Sequence, residues 1–240
     1  MFIQYKTQGF FLEAQDRGEA DRLFTVFTKK FGKLKILGRS IRKIKSKLRA
    51  GSQLFSLSYI EFIQGRTYKT LTEAIVIKRF PSLVKNPHKF TIATDIAEKL
   101  CFFLRGEESD QKIWKLLLEV FDQLNDAKKS SFYFIVYHYF LWNFFSCLGY
   151  KPHLTRCVMC GKKVNSRNIY FSPENGGVVC SSCLKKTKKP LKINKEVADF
   201  LRFLFKKNLE EFANFKINSD LKKSLKRITS IYLRYLKELY

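Results

Sequence analysis

The chain has 240 residues, with 46 Lys and Arg against 21 Asp and Glu, a formal net charge of +25. That balance points to a polyanionic partner, while 45% apolar and 15% aromatic content excludes a disordered basic tail as the whole protein. The length allows one or two domains with a small satellite, and five Pro with 11 Gly exclude collagen-like or linker-dominated chains.

The opening stretch MFIQYKTQGF has no basic leader, no uninterrupted apolar run and no small-residue cleavage site, so export is not expected. Residues 1–80 carry 17 basic and 6 acidic side chains and read as short strands broken by glycines. Leu23–Thr28 is β-branched and aromatic, Lys33–Ile36 alternates charge with apolar, Phe55, Leu57 and Tyr59 alternate with serines, and Tyr68–Ile77 is a further candidate. Gly18, Gly32, Gly51 and Gly65 fall between these runs. The pattern predicts a small closed barrel, and five strands in this length fit an oligonucleotide-binding (OB) barrel, although an SH3-like barrel has the same periodicity.

Arg39, Arg42, Lys43, Lys45, Lys47 and Arg49 place six cations and no acid within eleven residues, preceded by Lys33 and Lys35 on the polar side of a strand. A charge run is ordinarily a solvated face; on a barrel connector, this density can track a phosphate backbone. Binding of DNA or RNA there should be insensitive to sequence and steep in salt. Tyr5, Phe10, Phe27, Tyr59 and Tyr68 are candidates for base stacking, with core roles as the alternative.

From about residue 81 the period becomes helical. Ile113, Trp114, Leu117, Val120, Phe121 and Leu124 form one stripe, Val197, Phe200, Leu201 and Leu204 a second, and Leu221, Leu225, Ile228, Tyr232 and Tyr235 a third, all read as core. Phe132–Leu148 is nearly long enough for a membrane span, but it holds His138, Asn143 and Ser146; a helix buried all round is expected, ended by Gly149 and Pro152. Residues 184–240 add 16 basic and 6 acidic side chains.

Cys157 and Cys160, then 19 residues, then Cys180 and Cys183 form two C-x₂-C knuckles that can offer four thiolates to one tetrahedral Zn²⁺. Four thiolates leave no open coordination position, so such a metal is structural; a redox dithiol or a reduced, metal-free set is the alternative. Ile169–Phe171 and Val178–Val179 predict a hairpin between the knuckles, and Cys101 and Cys147 read as inert core thiols. Phosphate-loop, nucleophile-elbow, H-E-x-x-H and dinucleotide motifs are missing, and His138 is expected to be a satisfied core imidazole, so no enzyme activity is expected.

Two blocks carry a family resemblance. Gly18-Glu-Ala-Asp-Arg22-Leu-Phe-Thr25, Phe27-Thr28, Gly32-Lys33-Leu34 and the loop ending Lys45-Ser-Lys-Leu-Arg49 form the first. Leu148-Gly-Tyr-Lys-Pro152, Leu154, Cys157-x-x-Cys160-Gly and Tyr170-Phe-Ser-Pro-Glu174-x-Gly-Gly177, running into Cys180-x-x-Cys183, form the second. Together they resemble the RecO family of bacterial recombination mediators. The resemblance implies an α+β protein: an OB-fold domain at 1–80, a helical domain at 81–156 and 184–240, and a zinc module at 157–183 with Cys157, Cys160, Cys180 and Cys183 as ligands. It implies binding of single- and double-stranded DNA through Lys33, Lys35, Arg39, Arg42, Lys43, Lys45, Lys47 and Arg49, strand annealing, and recombinase loading onto DNA coated by single-strand-binding protein. RecR, often RecF, and the acidic C-terminal tail of single-strand-binding protein are the implied partners, in the cytoplasm at the nucleoid. Gly18–Arg22 reads as structural. An RNA- or ribosome-binding zinc-ribbon protein is the alternative that composition alone suits equally.

Overall fold

The computed structural model describes residues 3–164 and 169–240; Met1 and Phe2 of the opening stretch lie outside them. Five strands, β1 (Gln4–Arg17), β2 (Asp21–Thr28), β3 (Gly32–Gly38), β4 (Leu57–Ile63) and β5 (Lys69–Lys78), close a barrel in the order β1-β2-β3-β5-β4. β1 pairs antiparallel with both β2 and β4, and β3 runs parallel to β5, the five-stranded Greek-key arrangement of an OB barrel. The choice that periodicity left open is thereby made.

Phe11, Phe24, Val26, Leu34, Ile36, Ile60, Phe62 and Leu71 fill the barrel. Strand side chains alternate between faces, so Phe10, next to Phe11, points the other way. There its ring lies 4.9 Å from Trp114 and 5.7 Å from Phe121, in a cluster joined by Phe27, Phe55 and Phe80. Burial on both faces also explains why the alternation signal does not reveal β1: Gly9 to Leu12 are all buried. Phe55, expected in a strand, instead takes a left-handed turn (φ 57°) just before β4 and packs edge-on against Phe121 and Phe90. At the other end of β1, Lys6 faces Glu61 of β4 in register, 2.5 Å away, and Gln4 completes the partners of that buried carboxylate.

Helices α1 (Pro81–Lys85), α2 (Pro87–Phe103) and α3 (Gln111–Asp126) belong to the same compact unit as the barrel, which ends at Asp126. Asn86 and Asp110 start α2 and α3 by accepting from backbone amides two and three residues on. Two buried lysines of α2 are satisfied: Lys89 reaches the Asn125 carbonyl at the end of α3, 2.7 Å away, and Lys99 pairs with Asp95 and Glu98. Gly32 (φ 59°) lies so close to the Glu108 backbone that a β-carbon would collide with it.

The second compact unit, Ala127–Tyr240, holds α4 (Ser130–Cys147), a three-stranded sheet in the order β7 (Gly177–Cys180), β6 (Ile169–Ser172), β8 (Leu191–Ile193), and helices α5 (Lys195–Lys206) and α6 (Ser219–Glu238). The expected hairpin is β6–β7. α4 is buried on most of its circumference, as expected, and no helix among the described residues is long and apolar enough to cross a membrane. Trp142 is its anchor: it stacks on Tyr232 of α6 at 5.2 Å, meets Phe171 of β6 edge-on, and donates Nε1–H to Thr229 at 3.0 Å. The third helical stripe holds, except that Leu236 is buried where Tyr235 is half-exposed. His138 is buried, and its Nδ1–H donates to the Phe134 carbonyl at 2.8 Å.

Each unit carries one of the two tryptophans, so unfolding can be followed separately in W114F and W142F backgrounds. Phe10→Ala is expected to cost about 3–5 kcal/mol, read as a lower urea midpoint in Trp114 fluorescence. Burial lowers the His138 pKa from the ordinary 6.5 to about 4, against the pull of the Phe134 carbonyl. A depressed histidine pKa means that the unfolded chain binds the extra proton first, so stability falls as pH drops from 6.5 toward 4. His138→Gln should flatten that slope in Trp142 fluorescence; an unchanged slope would assign it to other groups.

Candidate metal centre and nucleic-acid interface

The two cysteine pairs arrive from separate backbone devices. Cys157 and Cys160 sit in a tight turn closed by Gly161 N–H to the Cys157 carbonyl (2.9 Å) and Cys157 N–H to the Lys162 carbonyl (2.8 Å), with Arg156 bridged to Lys163. Gly161 takes φ 71°, the left-handed conformation expected of it. Cys180 ends β7 and Cys183 lies in the short 3-10 helix Ser181–Lys186 that follows. The halves are joined by backbone bonds: Val158 N–H to Val178, and His153 with Gly176 and Val178.

The four sulfurs all lie within 4.8 Å of one another, and Cys160 and Cys180 are 3.8 Å apart. A regular tetrahedron of sulfurs about 2.3 Å from a central zinc has edges of about 3.8 Å. Donor chemistry and spacing therefore fit a metal bound by four thiolates, with no position left for a substrate. Burial opposes the Cys157 thiolate, but the amides of Cys180, Met159 and Cys160 outweigh it and bring the thiol down to about 6. Hydrogen bonding with Cys160 and Cys180 pushes Cys183 up to about 12. Cys101 stands apart: burial, with Glu13 second, raises its thiol to about 12, which suits an inert residue.

On the barrel, residues 39–51 leave β3 as a chain of turns. Ser40 N–H donates to Asp21 Oδ1 (2.7 Å) and Arg42 N–H to the Ala20 carbonyl (3.0 Å), so the loop is fastened to the β1–β2 turn. Ile41 is buried and Leu48 half-buried against the barrel core, while Ile44 between them is 90% exposed. Arg39, Arg42, Lys43, Lys45, Lys47 and Arg49 are brought together on this loop and all are exposed, as is Lys35 on β3. Lys33 is placed differently: half-buried, its ammonium donates to the Cys101 carbonyl at 2.5 Å. Arg22, which sequence reasoning set aside as structural, lies beside the loop arginines, and no local signal marks it.

Of the stacking candidates, Phe10 and Phe27 are core, and Tyr5 stacks on Phe62 at 5.3 Å. Tyr59 is half-buried on β4, and Tyr68 lies under Arg17, whose guanidinium is 5.4 Å from the ring.

Comparison with known proteins matches residues 1–80 to the family described as "Recombination protein O N terminal" and residues 84–238 to "Recombination protein O C terminal". Curated relatives named DNA repair protein RecO include that of Caldanaerobacter subterraneus, 29% identical over 95% of this chain and 91% of the relative. That of Alkaliphilus metalliredigens is 29% identical over 95% of this chain and 92% of the relative, and that of Dehalococcoides mccartyi 26% over 98% and 91%. The N-terminal match covers the barrel and the C-terminal match the four-thiol cluster: the chain belongs to the RecO (recombination protein O) family.

Proposed function

We propose that this protein serves DNA repair and homologous recombination as a mediator that binds single- and double-stranded DNA, anneals complementary strands and helps load recombinase onto DNA coated by single-strand-binding protein. The observation that carries this reading is the pair of family matches spanning an OB barrel and a four-thiol module. The exposed loop cations Arg39, Arg42, Lys43, Lys45, Lys47 and Arg49, with Lys35 beside them, are the proposed phosphate contacts; Lys33 is left out because its ammonium is already bonded.

Annealing needs no reacting residue. Two complementary strands repel through their phosphates, and a chain of net charge +25 that neutralises part of each lowers the barrier to encounter while releasing counterions. The domains that do this are proposed as 1–80 for nucleic acid, 81–156 with 184–240 as the helical part, and 157–183 for a single structural Zn²⁺, whose identity is supported by the all-sulfur donor set. RecR, the single-strand-binding protein tail and RecF are proposed partners. For the acidic tail, a groove of about 490 Å³ is lined by the apolar Leu154 and Phe205 and the cations Lys151 and Lys206, while its Arg202 is already bonded to the Leu154 carbonyl and Asp199.

The deciding experiment is annealing of complementary oligonucleotides coated with the cognate single-strand-binding protein, at two salt concentrations. Salt-sensitive acceleration is expected. Annealing of bare strands alone would reduce the protein to a basic binder and raise the RNA-binding alternative, which competition between RNA and single-stranded DNA then tests. Reversing Lys43, Lys45 and Lys47 together to Glu should flatten the slope of log affinity against log salt by about 2, at roughly 0.7 per lost single-strand phosphate contact. One zinc per chain is expected by elemental analysis. Cys157→Ser or Cys180→Ser should release it and raise hydrogen exchange over 153–164, while β6, held by the buried Phe171, stays protected.

A further inference from the structure

Three arginines from two parts of the barrel line one recess of about 210 Å³: Arg22 from β2, and Arg42 and Arg49 from the basic loop, with Ser52 and Gln53 at its side. Its floor is firm, because Phe24 and Ile41, which complete it, belong to the buried barrel core. Among the described residues, Asp16 is the carboxylate in ion-pair contact with these arginines. Arg22 Nε binds Asp16 Oδ1 at 2.6 Å, and Arg42 Nε approaches Oδ2 at 3.5 Å while its Nη1 donates to the Gly18 carbonyl at 3.3 Å. Among the described residues the Arg49 guanidinium has no hydrogen bond or ion pair, and the terminal nitrogens of Arg22 have none besides the Nε contact. Three guanidinium groups in one concavity therefore share a single carboxylate, which forms ion pairs with two of them.

We propose that this recess seats one phosphate group of a nucleic-acid strand, with Arg22, Arg42 and Arg49 as its donors and Asp16 holding Arg22 and Arg42 in position before the phosphate arrives. The proposal rests on the nucleic-acid reading above and deepens it by naming a discrete subsite and a residue outside the loop. A carboxylate is satisfied by one planar fork, whereas a phosphate offers oxygens in several directions and so suits forks that converge from separate elements. The volume suffices for a group of five heavy atoms, given about 30 Å³ per water in the liquid.

The dipeptide Asp21-Arg22 divides its work. Asp21 fixes the start of the loop by accepting from Ser40 N–H, and Arg22, cross-strand from Asp16 in the β1–β2 register, reaches the recess beside the loop arginines so positioned. An exposed ion pair of this kind contributes little to stability, so Arg22 can be changed without unfolding the barrel.

The test is fluorescence anisotropy of the full chain with labelled single strands bearing either a 5′-phosphate or a 5′-hydroxyl, for Arg22→Gln, Arg42→Gln, Arg49→Gln and their pairs, with thermal midpoints as a folding control. Each single change is expected to weaken binding several-fold at an unchanged midpoint, the pairs to lose less than the product of the singles because they share one phosphate, and Arg22→Lys to restore little. Equal losses on both strands assign an internal phosphodiester, and a loss confined to the phosphorylated strand assigns an end phosphate; either supports the seat. Unchanged affinity in Arg22→Gln, or losses that multiply independently, overturns it while Lys43, Lys45 and Lys47 still matter. If reversing those lysines also changes nothing, the nucleic-acid reading itself fails.

Discussion

A strand presents successive side chains to opposite faces, and β1 uses both faces to the full. Phe11 completes the barrel interior while Phe10 joins Trp114, Phe121, Phe80 and Phe55 on the outside, so one strand ties the closed sheet to α1–α3. This is hydrophobic burial of large rings, non-directional but close-packed, and it fixes the barrel as a rigid frame. The charged elements hang from that frame. The β1–β2 turn and the loop after β3 meet at one end of the barrel, where Asp21 and Ala20 receive the Ser40 and Arg42 amides. A run of six cations repels itself, and a chain left free would spread; here Ile41 and Leu48 pin it against the core and the carboxylate of Asp16 collects two arginines.

What could be read from the sequence was what is local. The four cysteines were legible because ligand spacing within a knuckle is a property of a few residues, and the second half of the site repeats it. β2, β3 and β5 showed themselves through composition and alternation. β1 did not, since alternation registers only when one face is wet, and the OB order rests on pairings between residues as distant as Tyr5 and Phe62. The candidate site residues divide in the same way. Lys33 reads as one more exposed strand lysine, but its ammonium meets the last turn of α2 at the Cys101 carbonyl, a partner 68 residues away. Arg22 looks structural next to Asp21, and its place among the loop arginines exists only once the loop has been folded back over the β1–β2 turn.

The two units spend their polar groups differently. In the first, cations are held at the surface or satisfied individually, as Lys89 is by a helix-end carbonyl. In the second, a sheet of three short strands is joined to α4 and α6 through Phe171, Trp142 and Tyr232, and the knuckle is added to its edge by backbone bonds from His153 and Val158. The four thiols and the hydrophobic attachment are thus carried by different residues of this unit.

The way the barrel closes also bears on how it is made. β1 leaves a ribosome first, yet its second edge is not covered until Leu57–Ile63 has been synthesised, and β3 waits for β5 in the same manner. At about 5–20 residues per second, an unpaired edge persists for seconds during which any extended segment could add to it. Lys6 stands on that waiting edge as a charge that disfavours apolar intruders, and Glu61, its partner in register on β4, is the acidic group that relieves it. The edge of β1 that is covered last is thus the one on which opposite charges, Lys6 and Glu61, face each other in register.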